Sequence, residues 1–410
     1  MTPTSHATTS LGGARGKPVE LVASRHRSLE SSPTLALAAK AKALRQAGKP
    51  VVDLTAGEPD FPTPATIKRA GIQAIEKNYT RYTPVPGIQE LRQGIAAKLS
   101  NRLGVAYDAS QVIVSNGAKH SLFNTLQVIC EPGDEILILS PFWVSYVALV
   151  ELAGGKPVLV TTREEDQYQP NLEAVKSALT ARTKGIILNT PSNPTGMLLD
   201  RDRLQGLAQI ALERGLIVIS DEIYDELVFA PYRAYSIVQL EPRLAGQTVV
   251  VNGVSKTYSM TGWRIGYAAG PKPLVETMTA FQSHSTSNAA SISQYAALEA
   301  ITGDQDEARA MVPEFQRRRD RLVNGLNGLP GLSCVMPQGA FYAWCNVGRL
   351  GHPAATIASR WLDEALIAVI PGEGFGSSAH IRFSFATSLD VIDDALTRLA
   401  RWLSEHSKRS

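Results

Sequence analysis

The chain has 410 residues, 44% of them hydrophobic and 19% charged, a composition ordinary for a soluble globular protein and a length that calls for two or more structural units. The formal charge of +3 is nearly balanced, which removes the electrostatic basis for a nucleic-acid partner. No apolar run approaches the roughly 18 residues that span a bilayer, so no membrane partner is expected either. The three cysteines, Cys130, Cys334 and Cys345, show no metal-ligand spacing. A reducing cytoplasm, no disulfide and no metal are the simplest expectation.

Residues 1–20 are rich in Thr, Ser and Gly and lack an apolar h-region; they read as a disordered tail and not as a secretory signal. An amphipathic helix is predicted over 34–47, behind Ser31, Ser32 and Pro33. A short strand follows at 51–54, then a Pro- and Gly-rich stretch from Thr55 to Pro64. Next come a helix over 64–76, an irregular aromatic loop over 79–87 and a helix over 88–103. From there strand-length apolar runs recur at 111–115, 135–139, 157–161, 185–189, 216–220 and 248–252, with helix-like segments between several of them. That rhythm predicts right-handed βαβ crossovers, a mostly parallel sheet and the α/β class. A helix is then expected from about Lys272, a polar loop over 283–288, a helical region through Ala300 and a charged helix over 307–326. Residues 333–401 change rhythm and read as a smaller α+β unit.

In open α/β sheets ligands bind beyond the carboxyl ends of the strands, so the residue following each run is a candidate for chemistry. Gly117, Ala118 and Lys119 follow 111–115 and open a helix, whose free N–H groups and dipole make a phosphate cradle. Trp143 follows 135–139 and can stack on a flat ring. Asn193 follows 185–189, Asp221 and Tyr224 follow 216–220, and Lys256 follows 248–252, with Arg264 eight residues further on. A desolvated lysine amine is neutral and can form a Schiff base with an aldehyde. A guanidinium holds a phosphate through paired charge-assisted hydrogen bonds. Aldehyde and phosphate together describe pyridoxal 5′-phosphate. A carboxylate such as Asp221 against the pyridine nitrogen keeps that ring an electron sink, and Asn193 and Tyr224 suit its phenolic oxygen. Each residue also has a bland reading: a loop lysine, a surface arginine, an Asp capping the next helix, a turn Asn, a structural Tyr. Their arrival at successive strand ends favours the cofactor.

With these segments in view, the chain resembles the fold-type I, class I aminotransferases, most closely the bacterial aspartate (aspartate/prephenate) aminotransferase subgroup. The likeness rests on AGEPDF (56–61), RYTPVPGIQELR (81–92), SPFWVSY (140–146), NTPSNPTG (189–196), SDEIYDEL (220–227), SKTYSMTGWRIGYAAGPK (255–272), PQGAFY (337–342) and IRFSFATS (381–388). It implies a large domain (65–305) with a mostly parallel seven-stranded sheet, a small α+β domain (306–410), and an N-terminal segment (21–64) packing with the small domain. It makes Lys256 the Schiff-base lysine and proton shuttle, Asp221 the pyridinium partner and Trp143 the stacking aromatic, with Asn193 and Tyr224 on the phenolic oxygen. Ser255, Arg264, Gly117, Ala118 and Lys119 are implied at the phosphate, Tyr82 reaching the phosphate of a neighbouring subunit in a homodimer. Arg382 is implied to grip the substrate α-carboxylate beside Gly57, with Trp143 and Asn193 lining the pocket. Thr34, Lys119 and Ser283 (beside His284) are implied at a distal carboxylate, Ser283 from the partner subunit. Gly253 departs from the pattern: many members carry a serine there. The implied activity is transfer of an amino group from an aspartate- or glutamate-type amino acid, or a more specialised one, to a 2-oxo acid such as 2-oxoglutarate. A β-lyase on the same fold is the alternative. A DNA-binding regulator ranks far below, because it needs a helix-turn-helix domain ahead of residue 30. A dinucleotide-binding dehydrogenase is excluded, since no G-x-G-x-x-G follows the first strand of the series; Gly372, Gly374 and Gly376 come late.

Overall fold

Apolar runs too short for helices and bounded by Gly, Pro and Asn become the strands. In chain order they are β1 (Val52–Asp53), β2 (Val112–Ser115), β3 (Glu135–Ser140), β4 (Lys156–Thr161), β5 (Thr183–Asn189), β6 (Ile217–Asp221), β7 (Thr248–Gly253), β8 (Gly266–Ala269), β9 (Ser333–Cys334), β10 (Tyr342–Asn346), β11 (Ile367–Ala368), β12 (Ile370–Pro371) and β13 (His380–Ser384). The computed structural model describes residues 33–406, with side chains from residue 39. The expected tail over 1–20, residues 21–32 and the side chain of Thr34 lie outside the described residues.

Strands β2 to β8 form a seven-stranded sheet in the order β2-β8-β7-β6-β5-β3-β4, parallel throughout except for β8, which runs antiparallel to both neighbours. Helices cover both faces, so successive strand residues enter different cores. Ile186, Leu188 and Val250 pack with the helices Gln89–Leu103 and Arg201–Arg214 on one side, while Ile187, Ile219, Val249 and Val251 pack with Ala118–Ile129 and Lys272–Ser283 on the other. Chain order reverses between β3 and β5, the kind of switch point that opens a crevice at the carboxyl edge.

A second, four-stranded antiparallel sheet has the order β12-β13-β10-β9. Its inner face packs on the helices Asp306–Asn327 and Leu389–His406 around Phe315, Phe341, Phe383 and Trp361. β1 pairs in parallel with β11, Val52 opposite Ile367, so the segment just after the first helix (Pro33–Gln46) is tied to this second sheet's surroundings. The expected elements lie within a few residues of those observed. Two details differ. Helix Lys272–Ser283 takes in Ser283, so the polar loop begins at His284, and no helix starts at Asp221, which ends β6 and leads into a turn. Among the described residues no helix is long and apolar enough to cross a membrane.

Candidate active site

The carboxyl edge of the large sheet opens into a cavity of about 540 Å³. Ala118 and Lys119 after β2, Trp143 and Tyr146 after β3, Asn189 and Asn193 after β5, Asp221 and Tyr224 after β6, and Ser255, Lys256 and Arg264 after β7 bound it. Thr55, Ala56, Gly57, Tyr342, Ile370, Phe375 and Arg382 close it from the second sheet's side.

Lys256 is half-buried, and its Nζ donates a 2.6 Å hydrogen bond to the Gly57 carbonyl. Desolvation, outweighing the attraction of Glu58 and reinforced by Arg382 and Arg264, brings its amine down to about 8. Asp221 is the inverse case. Burial pushes its carboxyl up to about 6, against the pull of a 2.6 Å hydrogen bond from Tyr146 Oη and a 3.3 Å bond from the Ile223 N–H. No lysine or arginine among the described residues lies within ion-pair distance of it. Lys256 attracts it from beyond that distance, and a buried carboxylate with no ion-pair partner suits a cationic ring nitrogen.

Arg382 comes from β13 and is 6% exposed. Nη1 donates to Asn193 Oδ1 at 3.0 Å and Nη2 to the Thr55 carbonyl at 3.2 Å, while Nε is buried with no partner. The plane lies over the Tyr342 ring at 4.4 Å. A buried guanidinium without a carboxylate and with a spare donor is a receptor for one. Tyr342 Oη and Tyr224 Oη are 3.1 Å apart, and burial keeps both phenols neutral.

Gly117 caps the helix Ala118–Ile129 with φ 87°, and the space a Cβ would occupy is filled by the Arg264 guanidinium. Arg264 itself takes φ 56°, a conformation costly for a non-glycine residue. Its Nη1 donates to the Thr261 carbonyl at 2.9 Å and its Nη2 to that of Asn116 at 3.3 Å, and no carboxylate among the described residues pairs with it. A helix N-terminus and a strained, carboxylate-free arginine thus meet at one anion cradle. Gly253 has a packing reason: a Cβ there would sit 2.9 Å from the Ile265 carbonyl and 3.0 Å from Gly266 Cα, so a serine would press on the chain entering β8.

Over residues 49–399 the chain matches the family described as aminotransferase class I and II. The protein belongs to the class I and II aminotransferases. It is 44% identical over 387 residues to an aspartate aminotransferase of Geobacillus stearothermophilus, covering 93% of this chain and 98% of that one. It is 43% identical over 382 residues to an aspartate/prephenate aminotransferase of Cereibacter sphaeroides, covering 90% and 96%. Among solved structures, the aspartate aminotransferase of Rhizobium meliloti superposes with a TM-score of 0.90 at 39% identity, covering 94% of this chain and 99% of that one. The Thermus thermophilus enzyme with maleate gives 0.89 at 41%, covering 93% and 100%. This aminotransferase therefore has the type I fold and uses pyridoxal 5′-phosphate to move an amino group between an amino acid and a 2-oxo acid. Its cavity fits that cofactor on two independent features: the anion cradle, and Asp221 as a buried carboxylate without an ion-pair partner among the described residues.

Tyr82 and Ser283, expected at the site of a neighbouring subunit, lie outside this aminotransferase chain's own cavity. Tyr82 is 91% exposed and lines a surface recess with Thr286 and Asn288. Ser283 is exposed and bonds back to the Ala280 carbonyl. Lys119 stands at the mouth, its Nζ 4.9 Å from the Trp143 ring. Conversely, Tyr146, Asn189 and Tyr342 went unassigned in the sequence. Asn189 Nδ2 donates to the Asp221 carbonyl and its Oδ1 accepts from the Asn193 N–H at 2.8 Å, coupling the ends of β5 and β6. The signal for Tyr146 was its place one helical turn beyond Trp143; Tyr342 closes the PQGAFY segment.

Proposed function

We propose that this aminotransferase works on aspartate- and glutamate-type donors, with 2-oxoglutarate as an acceptor, through a ping-pong sequence in one site. The cofactor, when bound, supplies an electron sink that drains charge from the substrate Cα. The chain does the rest. The backbone of Gly117, Ala118 and Lys119, with Ser255 and Arg264, would hold the phosphate; Trp143 would cover the ring, Asp221 would keep its nitrogen protonated, and Asn193 and Tyr224 would hydrogen-bond its phenolic oxygen. Arg382 fixes the α-carboxylate, with Gly57 and Trp143 beside it, so that the Cα–H bond points at Lys256. Lys256, whose amine is neutral in a large fraction of molecules near pH 8, would accept the proton from the substrate Cα and hold it for return, acting as base and then acid. One guanidinium serves the carboxylates of both donor and acceptor, which makes the two substrates alternate.

The observation that carries this reading is Arg382: a buried guanidinium with an unpartnered Nε and no carboxylate. Lys119 at the cavity mouth supports a second, distal carboxylate, assisted by Thr34 and by Ser283 of a neighbouring subunit. The surface recess shared by Tyr82, Thr286, Asn288 and Ser291 supports a homodimer in which Tyr82 and Ser283 complete the partner's site. Free cysteines among the described residues support a cytoplasmic enzyme, and the two separate sheets support a large cofactor-binding domain (65–305) and a small domain (306–410). Because one relative's name includes prephenate, that oxo acid is the second acceptor to test. The test is a panel of amino donors with 2-oxoglutarate, scored as kcat/KM. Aspartate or glutamate should lead by at least about tenfold; a lead by an aromatic or aliphatic donor, or release of pyruvate and ammonia from a β-substituted donor, would sink the proposal.

A further inference from the structure

Outside the active site, two of the three cysteines face each other. In the register of β9 and β10, Cys334 lies directly opposite Cys345, and Ser333 opposite Asn346. An antiparallel pair either exchanges its own N–H···O bonds or sits between such exchanges, and the second kind brings the side chains closer. Here the peptide groups of Cys334 are engaged elsewhere. Its N–H donates to Asn327 Oδ1 at 2.7 Å and its carbonyl accepts from Asn327 Nδ2 at 3.0 Å. Cys334 and Cys345 are therefore a non-hydrogen-bonded pair, with Cα atoms about 4.5 Å apart by that geometry, inside the range a disulfide requires.

The surroundings hold this pair still. The two thiols point into the apolar layer beneath helix Asp306–Asn327, Cys345 fully buried and Cys334 6% exposed. On the opposite face Glu164 accepts from Ser333 Oγ at 3.1 Å and from Asn346 Nδ2 at 2.7 Å. Each thiol donates only a weak bond to a carbonyl next along its own strand. We propose that Cys334 and Cys345 are a reversible dithiol–disulfide pair that clips β9 to β10.

The oxidant is a small disulfide, RSSR. The Cys334 thiolate attacks one of its sulfurs, forming a mixed disulfide and releasing one RSH. The Cys345 thiolate then attacks the Cys334 sulfur and releases the second RSH. The protein loses two thiol protons and two electrons, and RSSR gains both. Cys334 goes first because β9 is a two-residue strand at the sheet edge. Burial holds both thiols above their ordinary range, Cys334 at about 12, so exchange waits on opening of that edge and is slow. In a reducing compartment the pair rests as the dithiol.

The test uses the full-length, cofactor-loaded enzyme incubated for hours with oxidised glutathione, then denatured, alkylated and mapped by peptide mass spectrometry. The expected result is a Cys334–Cys345 cross-linked peptide lighter by two hydrogens, with Cys130 outside the cross-link, and full reversal by dithiothreitol. Cys130→Ser, remote from both strands, should leave the cross-link unchanged. If Cys334 and Cys345 stay alkylatable after Cys130 has reacted, or each is capped by glutathione without a cross-link, or the disulfide involves Cys130, the proposal is overturned.

Discussion

The Tyr146 hydroxyl donates a 2.6 Å hydrogen bond to Asp221 Oδ2 at the floor of the cavity, where both residues are buried. This bond favours the ionised carboxylate that burial opposes. A hydrogen bond to a charged group contributes about 1.5–3 kcal/mol, or roughly one to two pH units. Tyr146→Phe should move the acid limb of cofactor binding upward by about that much. Affinity near pH 6 falls tenfold or more, and affinity near pH 8 is little changed. Fluorescence titration of the apoenzyme at several pH values reads this directly, and an unshifted limb would show that Tyr146 does not set the carboxylate's charge.

Asp221 also burdens the apoenzyme's fold. Its carboxyl rises from 3.8 to about 6 in the folded chain, so the folded state holds that proton more tightly than the unfolded one. Its stabilising contribution is present at low pH and is lost as pH rises through that window. Above it the apo fold is destabilised by roughly 3 kcal/mol. Asp221→Asn should therefore make the apoenzyme more stable than wild type at pH 8, with the difference vanishing near pH 4, while abolishing the stabilisation that added cofactor gives wild type. Denaturant midpoints of both apo forms across pH check the sign, and a less stable variant at pH 8 refutes it.

How much of this was readable from residues alone follows a physical line. Strand ends were legible because a period of β-strand and helix leaves its punctuation in the chain: Gly117, Asn193, Asp221, Lys256 and Arg264 each interrupt an apolar run. Tyr146 and Tyr342 were not, since a buried aromatic looks like core until its hydroxyl is seen to meet Asp221 or Tyr224. Asp221 had a lesser reading as a helix cap, and the turn after β6 removes that option. Register was also illegible. The opposition of Cys334 and Cys345 depends on strands whose pairing is set by Asn327 and by helix packing, not by any local pattern.

Lys256 has an amine lowered to about 8, chiefly by desolvation. Below that pH it is mostly protonated and unreactive toward an aldehyde; above it the neutral fraction saturates. The rate at which apoenzyme regains its cofactor absorbance should climb about tenfold per pH unit below 8 and level off above it. A lysine at its ordinary value would keep accelerating to pH 10, which is the outcome that would contradict the environment described. Lys256→Ala should show no such covalent step and lose turnover by at least ~10²–10⁴-fold, the scale of one positioned acid–base group.

Arg382 separates recognition of substrate from retention of cofactor. Its two Nη atoms are held by Asn193 and Thr55, so the free Nε edge has one orientation. Removing one partner of a buried, hydrogen-bonded charge pair costs about 2–5 kcal/mol. Arg382→Ala should lower kcat/KM for amino acids by roughly 30- to several thousandfold, with cofactor affinity and absorbance near wild type. Arg382→Lys should recover little, because an ammonium cannot reproduce the planar fork that Asn193 and Thr55 align. A primary amine without a carboxylate is the control. Its slow reaction should be nearly indifferent to either substitution. Equal losses for that amine and for the amino acids would mean that Arg382 shapes the cavity and does not bind the carboxylate.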